Sequence, residues 1–157
     1  MATPITNHGF EKLEKELKQL NLVDRPKIIE AISTARELGD LSENAEYHSA
    51  KERQGIIEGR IAEINSSIAD SEVVNIDKLK GDSIVFGATV SLKSDKKELT
   101  FIVLSDVEAD AEYNRISINS PIGAAILGKK EGDIVEVPMP SGQEEFTIIK
   151  IEFKGMV

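Results

Sequence analysis

The sequence predicts an α+β protein in which an N-terminal antiparallel α-helical coiled-coil hairpin precedes a small antiparallel sheet domain with a short helix. Two observations lead to this fold class. Apolar residues recur at helical spacing up to about residue 70, and afterwards they alternate in the manner of strands. The period changes near residues 71–77, so we assign residues 1–75 to the hairpin and residues 78–157 to the second domain.

The first predicted arm begins at Thr6, a residue type that caps helices, and then carries apolar residues at the 3,4,3 spacing of a coiled-coil seam: Phe10, Leu13, Leu17 and Leu20. Pro26 either begins a new helical segment or kinks a continuous one, because proline supplies no backbone N–H. Beyond it the apolar stripe continues with a shifted phase, through Ile28, Ala31, Ile32, Ala35 and Leu38.

The second predicted arm carries its own apolar stripe: Tyr47, Ala50, Ile57, Ile61, Ile64 and Ile68. Facing residues of an antiparallel hairpin have numbers that add to a nearly constant value. That condition holds for Leu13 with Ile68, Leu17 with Ile64, and Leu20 with Ile61. The same value places the turn between Asp40 and Leu41, beside the helix-stopping Gly39.

The second half reads as a small sheet with one helix. Residues 84–92 and 99–104 have strand content around a polar turn at 94–97, and residues 115–119 add a short strand. Ser120 and Pro121 resemble an N-cap followed by proline in the first turn, and Gly128 ends that helix. Residues 134–137 and 145–153 form a final hairpin around residues 138–142.

The composition excludes several functional classes. The 157 residues include no cysteine, so disulfides and thiolate sites are absent. The net charge of −9 and the 4% aromatic content disfavour autonomous nucleic-acid binding, including sequence-specific DNA binding. No apolar run approaches the roughly 20 residues of a membrane span, and the N-terminus lacks signal-peptide features. We therefore expect a cytoplasmic protein with no membrane partner.

The predicted tip presents two carboxylates, Asp40 and Glu43, which allow two interpretations. Asp-x-x-Glu at a helix start fits a capping box, in which both side chains bind backbone N–H groups of the first turn. Carboxylate oxygens also suit Mg²⁺, which is commonly held by one or two carboxylates together with phosphate oxygens and water. Two carboxylates on a bare tip make a poor metal site alone and would serve better by completing a site on another molecule.

Three segments carry a resemblance to a known family: A-R-E-L-G-D-L-S-E-N-A-E-Y-H at residues 35–48, V-F-G-A-T-V at 85–90, and I-N-S-P-I-G-A-A-I-L-G-K-K at 118–130. With these segments and their spacing, the whole chain resembles bacterial transcript cleavage factors of the GreA/GreB family. Leu41 is similar to the GreA branch, since GreB usually has a basic residue there. The resemblance implies an FKBP-like arrangement of the second domain.

The resemblance also implies a function. In this family the hairpin enters the secondary channel of a backtracked RNA polymerase. Asp40 and Glu43 would help to bind the second catalytic Mg²⁺ and to position the attacking water, so that the polymerase cleaves the extruded 3′ end of the nascent RNA and resumes elongation. The factor would then be an accessory rather than an enzyme, with no cofactor in isolation and with Mg²⁺ shared with the polymerase site.

The resemblance assigns two further sets of residues. Arg36, Lys51 and Arg53 match or neighbour basic positions that would steady the extruded RNA, although they would otherwise read as a solvated helix face. Ser120, Pro121 and Ile122 would dock on the polymerase at the channel rim, although they would otherwise read as a helix cap with a buried isoleucine. Residues 123–125 depart from the arginine-containing stretch common in GreA proteins.

Two alternatives from other classes remain. The first is a Gre-like inhibitor that occupies the polymerase channel without promoting cleavage. The second is a hairpin chaperone or a prolyl isomerase, since the FKBP-like fold is shared with isomerases. The tip favours the cleavage factor, because an inhibitor need not keep paired carboxylates and a chaperone would expose apolar residues there.

Overall fold

The computed structural model describes residues 2–39 and 43–155. The chain forms two compact units, one made of residues 10–70 and the other of residues 1–9 together with 71–157. These limits differ from the predicted division because two short strands, β1 (Thr3–Thr6) and β2 (Ser71–Val74), pair in parallel. The sequence does not reveal them, because four residues are too few to establish a strand period.

The hairpin unit is built from two helical arms. The first arm begins with α1 (Asn7–Gln19), passes through a π-helical turn (Leu20–Asp24) and continues as α2 (Arg25–Arg36). The second arm is α3 (Ala45–Ala69), whose 25 residues extend about 37 Å at 1.5 Å per residue. Pro26 lies in the first turn of α2, so the chain remains helical there and the π turn precedes the proline. Thr6 is confirmed as the N-cap of α1, since its Oγ1 accepts a hydrogen bond of 2.8 Å from the N–H of Gly9.

The inward faces of the arms are the predicted apolar stripes. A buried cluster lies towards the tip and contains Ile28, Ile32 and Ala50, with Ala31, Tyr47 and Ile57 packed against it. Leu13, Leu20, Ile61 and Ile64 are also buried. Two ion pairs join the arms outside this seam. Arg60 Nη2 donates to Glu16 Oε1 at 2.9 Å, and Arg25 Nε donates to Glu58 Oε1 at 2.8 Å.

The sheet unit contains five further strands in the spatial order β5-β4-β3-β7-β6. Their bounds are β3 Thr89–Lys93, β4 Glu98–Leu104, β5 Arg115–Ser117, β6 Ile134–Met139 and β7 Gly142–Glu152. All neighbours are antiparallel except β4 and β5, which pair in parallel. Short 3₁₀ turns cover Ile76–Lys78 and Ala111–Tyr113, and α4 covers Pro121–Ile126.

The first predicted strand of this unit, residues 84–92, is shorter than expected. Strand β3 begins only at Thr89. Gly87 has φ of +93°, a conformation that glycine adopts readily, and the N–H of Ala88 donates back to the carbonyl of Val85. A turn therefore replaces the first part of the predicted strand.

The larger buried cluster of the sheet unit lies on one face of the sheet and under α4, and a smaller one, formed by Ile76, Ile102 and Leu104, lies on the other face. Alternate strand residues point into the larger cluster, including Val90 and Leu92 of β3 and Phe146 and Ile148 of β7. Ile126 brings α4 onto this cluster. Among residues 2–39 and 43–155, no helix combines the length and apolar character needed to cross a membrane.

Candidate functional site

The predicted carboxylate pair falls in the segment between α2 and α3. Helix α2 ends at Arg36, and the N–H of Leu38 donates to the carbonyl of Ala35 at 3.1 Å. Gly39 follows with φ of +127°, as expected for a glycine that ends a helix. Asp40 lies outside the described residues, together with residues 41 and 42. Glu43 is described and exposed.

The predicted capping box is wrong for α3. The N-cap is Asn44, whose Oδ1 accepts a hydrogen bond of 3.0 Å from the N–H of Tyr47. Glu43 therefore precedes the cap and does not stand in the first turn of the helix. Asparagine caps helices about as well as aspartate, so Asn44 needs no help from the acidic pair. Within the described part of the chain, the Glu43 side chain has no hydrogen-bond or ionic partner.

Asn44 also makes a second hydrogen bond, which crosses from one arm to the other. Its Nδ2 donates to the carbonyl of Ala35 at 2.5 Å. Ala35 belongs to the last turn of α2 and is only 3% exposed. One amide side chain thus caps α3 and ties it to the end of α2 at the base of the tip.

The three predicted RNA-contacting residues do not form one cluster. The Arg36 guanidinium lies over the ring of Tyr47, 5.8 Å from its centroid. Lys51 shares the Tyr47 flank of α3, because residues four apart stand on the same helix face, and its Nζ donates to Gln54. Arg53 stands about 200° from Lys51 around the helix, at 100° per residue. It therefore lies on the opposite flank.

Arg53 lines a groove of about 570 Å³ between α2 and α3. Lys27 lines the same groove and was missed by the sequence analysis. The acidic residues Glu30 and Glu46 line it as well, so this flank carries both signs of charge. The acidic neighbours thus weaken the attraction of this groove for phosphate.

The two ion pairs that join the arms lower the pKa of their carboxyl groups. The Arg60 guanidinium, which hydrogen-bonds to Glu16, lowers the pKa of that carboxyl against a smaller opposing effect of burial. The hydrogen bond from Arg25 likewise lowers the pKa of Glu58. In the sheet unit, hydrogen bonds from His8 and Asn7 lower the pKa of Asp77. The described residues contain no group of three or more His, Cys, Asp or Glu that is placed to hold a metal.

The predicted docking residues lie at the start of α4. Ser120 Oγ accepts from the N–H of Gly123 at 3.1 Å and donates to the carbonyl of Ser117 at 2.6 Å, so this hydroxyl caps the helix. Pro121 is exposed, whereas Ile122 is half-buried against the core. The structural interpretation of Ser120 and Ile122 therefore holds, and it leaves Pro121 as the outward residue.

All three docking residues also line an apolar groove of about 460 Å³. Its other wall includes Pro138, Met139 and Pro140, from the end of β6 and the turn that follows. These residues were not predicted from the sequence. They are far from α4 in the chain, and no local pattern indicates that β6 ends beside it.

The departure from the family pattern at residues 123–125 has a local reason at its first position. A Cβ on Gly123 would lie 2.1 Å from the carbonyl oxygen of Ser117. Helix α4 thus approaches the backbone at the end of β5 too closely for any larger residue. Nothing in the structure explains the alanines at positions 124 and 125.

Comparisons with known proteins cover nearly the whole chain. Residues 3–73 match the family model described as transcription elongation factor, N-terminal, and residues 79–153 match transcription elongation factor, GreA/GreB, C-terminal. Transcription elongation factor GreA of Rickettsia felis is 52% identical over 155 residues, which cover 98% of this chain and 96% of that protein. The GreA of a Caulobacter strain is 49% identical over 152 residues, covering 96% and 97%.

Among solved structures, GreA factor homolog 1 of Thermus thermophilus is 24% identical and covers 97% of this chain and 99% of its own, with a TM-score of 0.46. Because that score is low, the assignment rests on the sequence matches. Two family models span the two halves of the chain, and relatives near 50% identity span almost all of it. The chain therefore belongs to the GreA/GreB family of transcription elongation factors.

Proposed function

We propose that this chain stimulates the cleavage of backtracked nascent RNA by RNA polymerase, by inserting its hairpin into the secondary channel of that enzyme. Family membership supports a role in elongation. The observation that carries the cleavage role is the exposure of Glu43 together with the capping of α3 by Asn44. A tip carboxylate that is not used for capping remains available to a partner.

Asp40 and Glu43 would hold the shared Mg²⁺ together with ligands from the polymerase. The exposed carboxylate of Glu43 fits this role, because Mg²⁺ prefers carboxylate oxygens and keeps several positions for water and phosphate. When bound, the metal lowers the pKa of water and stabilises the charge that develops in phosphodiester hydrolysis. The chain itself supplies carboxylates to the active site of its partner, which makes it an accessory and not an independent nuclease.

Arg36 and Lys51 provide a flank on which extruded RNA would lie. Both are exposed and both stand beside the tip, with Tyr47 between them. A cation on this flank attracts phosphate oxygens without reading the bases, so we expect sequence-independent contacts. Arg53 would contact RNA from the opposite flank, where acidic neighbours weaken the attraction.

The groove beside α4 is the docking surface that we propose for the polymerase rim. It is lined by apolar residues from separate segments, with Pro121 and Ile122 on one side and Met139 on the other. Localisation in the cytoplasm, where RNA polymerase acts in bacteria, follows from this proposal. No described feature favours the channel inhibitor, the chaperone or the prolyl isomerase.

The proposal is tested by adding the protein to a stalled, backtracked elongation complex with Mg²⁺ and following end-labelled RNA. The unmodified chain should accelerate shortening of the RNA. The double variant Asp40→Asn with Glu43→Gln should lose that stimulation and still bind polymerase. A matched control, Glu14→Gln with Glu52→Gln, removes two exposed carboxylates away from the tip and should remain active.

Failure of the unmodified chain to accelerate cleavage would overturn the proposal. Full activity of the tip variant would remove the role of the carboxylates. Polymerase binding should be measured on the same samples, because a tip variant that loses binding as well as cleavage would contradict a separate docking surface.

A further inference from the structure

Asn44 joins the ends of the two hairpin arms and directly follows Glu43 in the chain. We infer that Asn44 is a positioning residue for the carboxylate of Glu43, because it supplies the cap of α3 itself and fixes the backbone from which Glu43 extends. The inference rests on the proposed function. It assigns to Asn44 a role in transcript cleavage that goes beyond the stability of α3.

Both ends of the Asn44 amide are used, and they face chemically different partners. The oxygen accepts from the N–H of Tyr47, whereas the nitrogen donates to the carbonyl of Ala35. That carbonyl also accepts from the N–H of Leu38, so both of its lone pairs have partners. A single side chain therefore joins the last turn of α2 to the start of α3, and we call its hydrogen bond to Ala35 the closing contact.

The closing contact lies next to Glu43 in the chain. The Cα atoms of consecutive residues are about 3.8 Å apart, so fixing the backbone of Asn44 fixes the start of the Glu43 side chain. A second contact supports the same position, because Arg36 stacks on Tyr47, whose N–H is the one that Asn44 binds. The last turn of α2 and the start of α3 are thus joined twice.

Capping by Asn44 also removes a competition for the carboxylates. The first N–H groups of any helix need acceptors, and aspartate and serine are strong caps. If Asn44 could not accept a hydrogen bond, these N–H groups would draw on the carboxylate of Glu43, the residue directly before it. A carboxylate bound to the helix start would face the backbone instead of a metal.

The amide is the only common group that meets both requirements in this position. An aspartate would accept from Tyr47, and it would gain from the positive end of the helix. It could not donate to Ala35, however, and its second oxygen would face the carbonyl oxygen. A serine would also cap α3 but would be too short to reach across to α2. Both substitutions therefore keep an acceptor for the N–H of Tyr47 and remove the hydrogen bond to the carbonyl of Ala35.

The test uses Asn44→Asp and Asn44→Ser in the full chain. Both variants keep a cap acceptor, so their helical melting temperatures should stay within a few degrees of the unmodified protein. Polymerase binding should be unchanged. Stimulated cleavage should fall roughly tenfold or more, or require more Mg²⁺ for half-maximal rate, because partners that orient metal ligands are typically worth about 10- to 100-fold.

Asn75 offers a matched control. Its side chain also caps a helical turn, by accepting from the N–H of Asp77 at 3.1 Å, but it lies in the sheet unit. Asn75→Asp and Asn75→Ser should leave cleavage unchanged. Only Asn44→Asp adds a negative charge, whereas both Asn44 variants lose the hydrogen bond to Ala35. An equal loss of cleavage in both variants would therefore be due to the lost hydrogen bond and not to the charge.

A second measurement does not depend on cleavage. In NMR spectra of the isolated protein, the backbone amide signals of residues 40–43 should shift in both Asn44 variants and stay in place in both Asn75 variants. Unchanged signals, or folded Asn44 variants with full cleavage across the Mg²⁺ range, would overturn the inference. If instead the unmodified chain does not accelerate cleavage, the proposed function itself fails.

Discussion

The π-helical turn at Leu20–Asp24 corrects the phase of the first arm. Leu20 and Ile28 are both buried, although eight residues of α-helix would rotate one from the other by about 80°. A π turn closes its hydrogen bond over one additional residue, as in the bond from the N–H of Arg25 to the carbonyl of Leu20. With one residue absorbed, the rotation falls to about 20°, and both side chains face α3.

We therefore expect that one residue can be deleted from the π turn without loss of the buried face. The deletion of Leu22, which is 72% exposed, should convert the π turn to α-helix and keep Ile28 in phase. It should be made together with Pro26→Ala, because proline inside an α-helix costs about 3 kcal/mol. We expect the free energy of unfolding of the hairpin to change by less than about 1 kcal/mol, the usual range for exposed positions.

The control deletes exposed Glu30 from α2 in the same Pro26→Ala background. No π turn is present there to absorb the change, so residues on one side must rotate by about 100°. That rotation moves either Ile28 or Ile32 with Ala35 out of the seam, at a cost of about 2–5 kcal/mol. At about 4–8 °C per kcal/mol for a unit of this size, the helical melting temperature should fall by at least about 8 °C.

The assay is thermal unfolding followed by the helical circular dichroism signal. Equal losses in the two deletions would refute the phase argument, as would a larger loss for the deletion of Leu22. Pro26→Ala alone should retain the π turn, because the buried stripe still requires it.

The remaining predictions concern acid, packing and docking. The pKa values of Glu16 and Glu58 are lowered on folding, so the stability that these carboxylates contribute is present above their ordinary pKa and is lost as the pH falls through the lowered values. The melting temperature of the hairpin should therefore fall in acid. Arg60→Gln should make the melting temperature depend less on pH, because Glu16 then loses its partner. Gly123→Ala should cost about 1–3 kcal/mol, measured by urea unfolding, because the new methyl overlaps the carbonyl of Ser117; an unchanged midpoint would contradict the packing at α4. Met139→Glu should weaken polymerase binding in a competition assay by placing a charge in the groove beside α4, whereas Ile134→Glu, at an exposed position of the same strand, should not.

The helical arms were predictable because their signal is long and repeated. A stripe that recurs over many turns indicates a buried face even when the phase shifts at Pro26. The later hairpin of β6 and β7 was likewise visible from alternation around a turn. Strands β1 and β2 were not, because each has four residues and pairs only with a strand that lies more than 60 residues away in the sequence.

The tip shows the same limit at the scale of single side chains. The sequence allows Asp40 and Glu43 to be either helix caps or metal ligands. Aspartate and asparagine both cap helices, so the residue types alone do not select between Asp40 and Asn44 as the cap. Which residue caps α3 depends on where the backbone turns into the helix, and that point falls at Asn44. The hydrogen bond from Asn44 to Ala35 joins residues nine positions apart and follows only from how the arms meet.

By itself, the sequence determined the hairpin, the acidic tip and the family, because periodicity and local motifs are properties of neighbouring residues. The tertiary structure decided which side chains share a surface. It separated Arg53 from Arg36 and Lys51, brought Met139 beside Pro121, and gave the cap to Asn44. Such contacts depend on the rotation of helices and the order of strands, which only the packing of the complete core fixes.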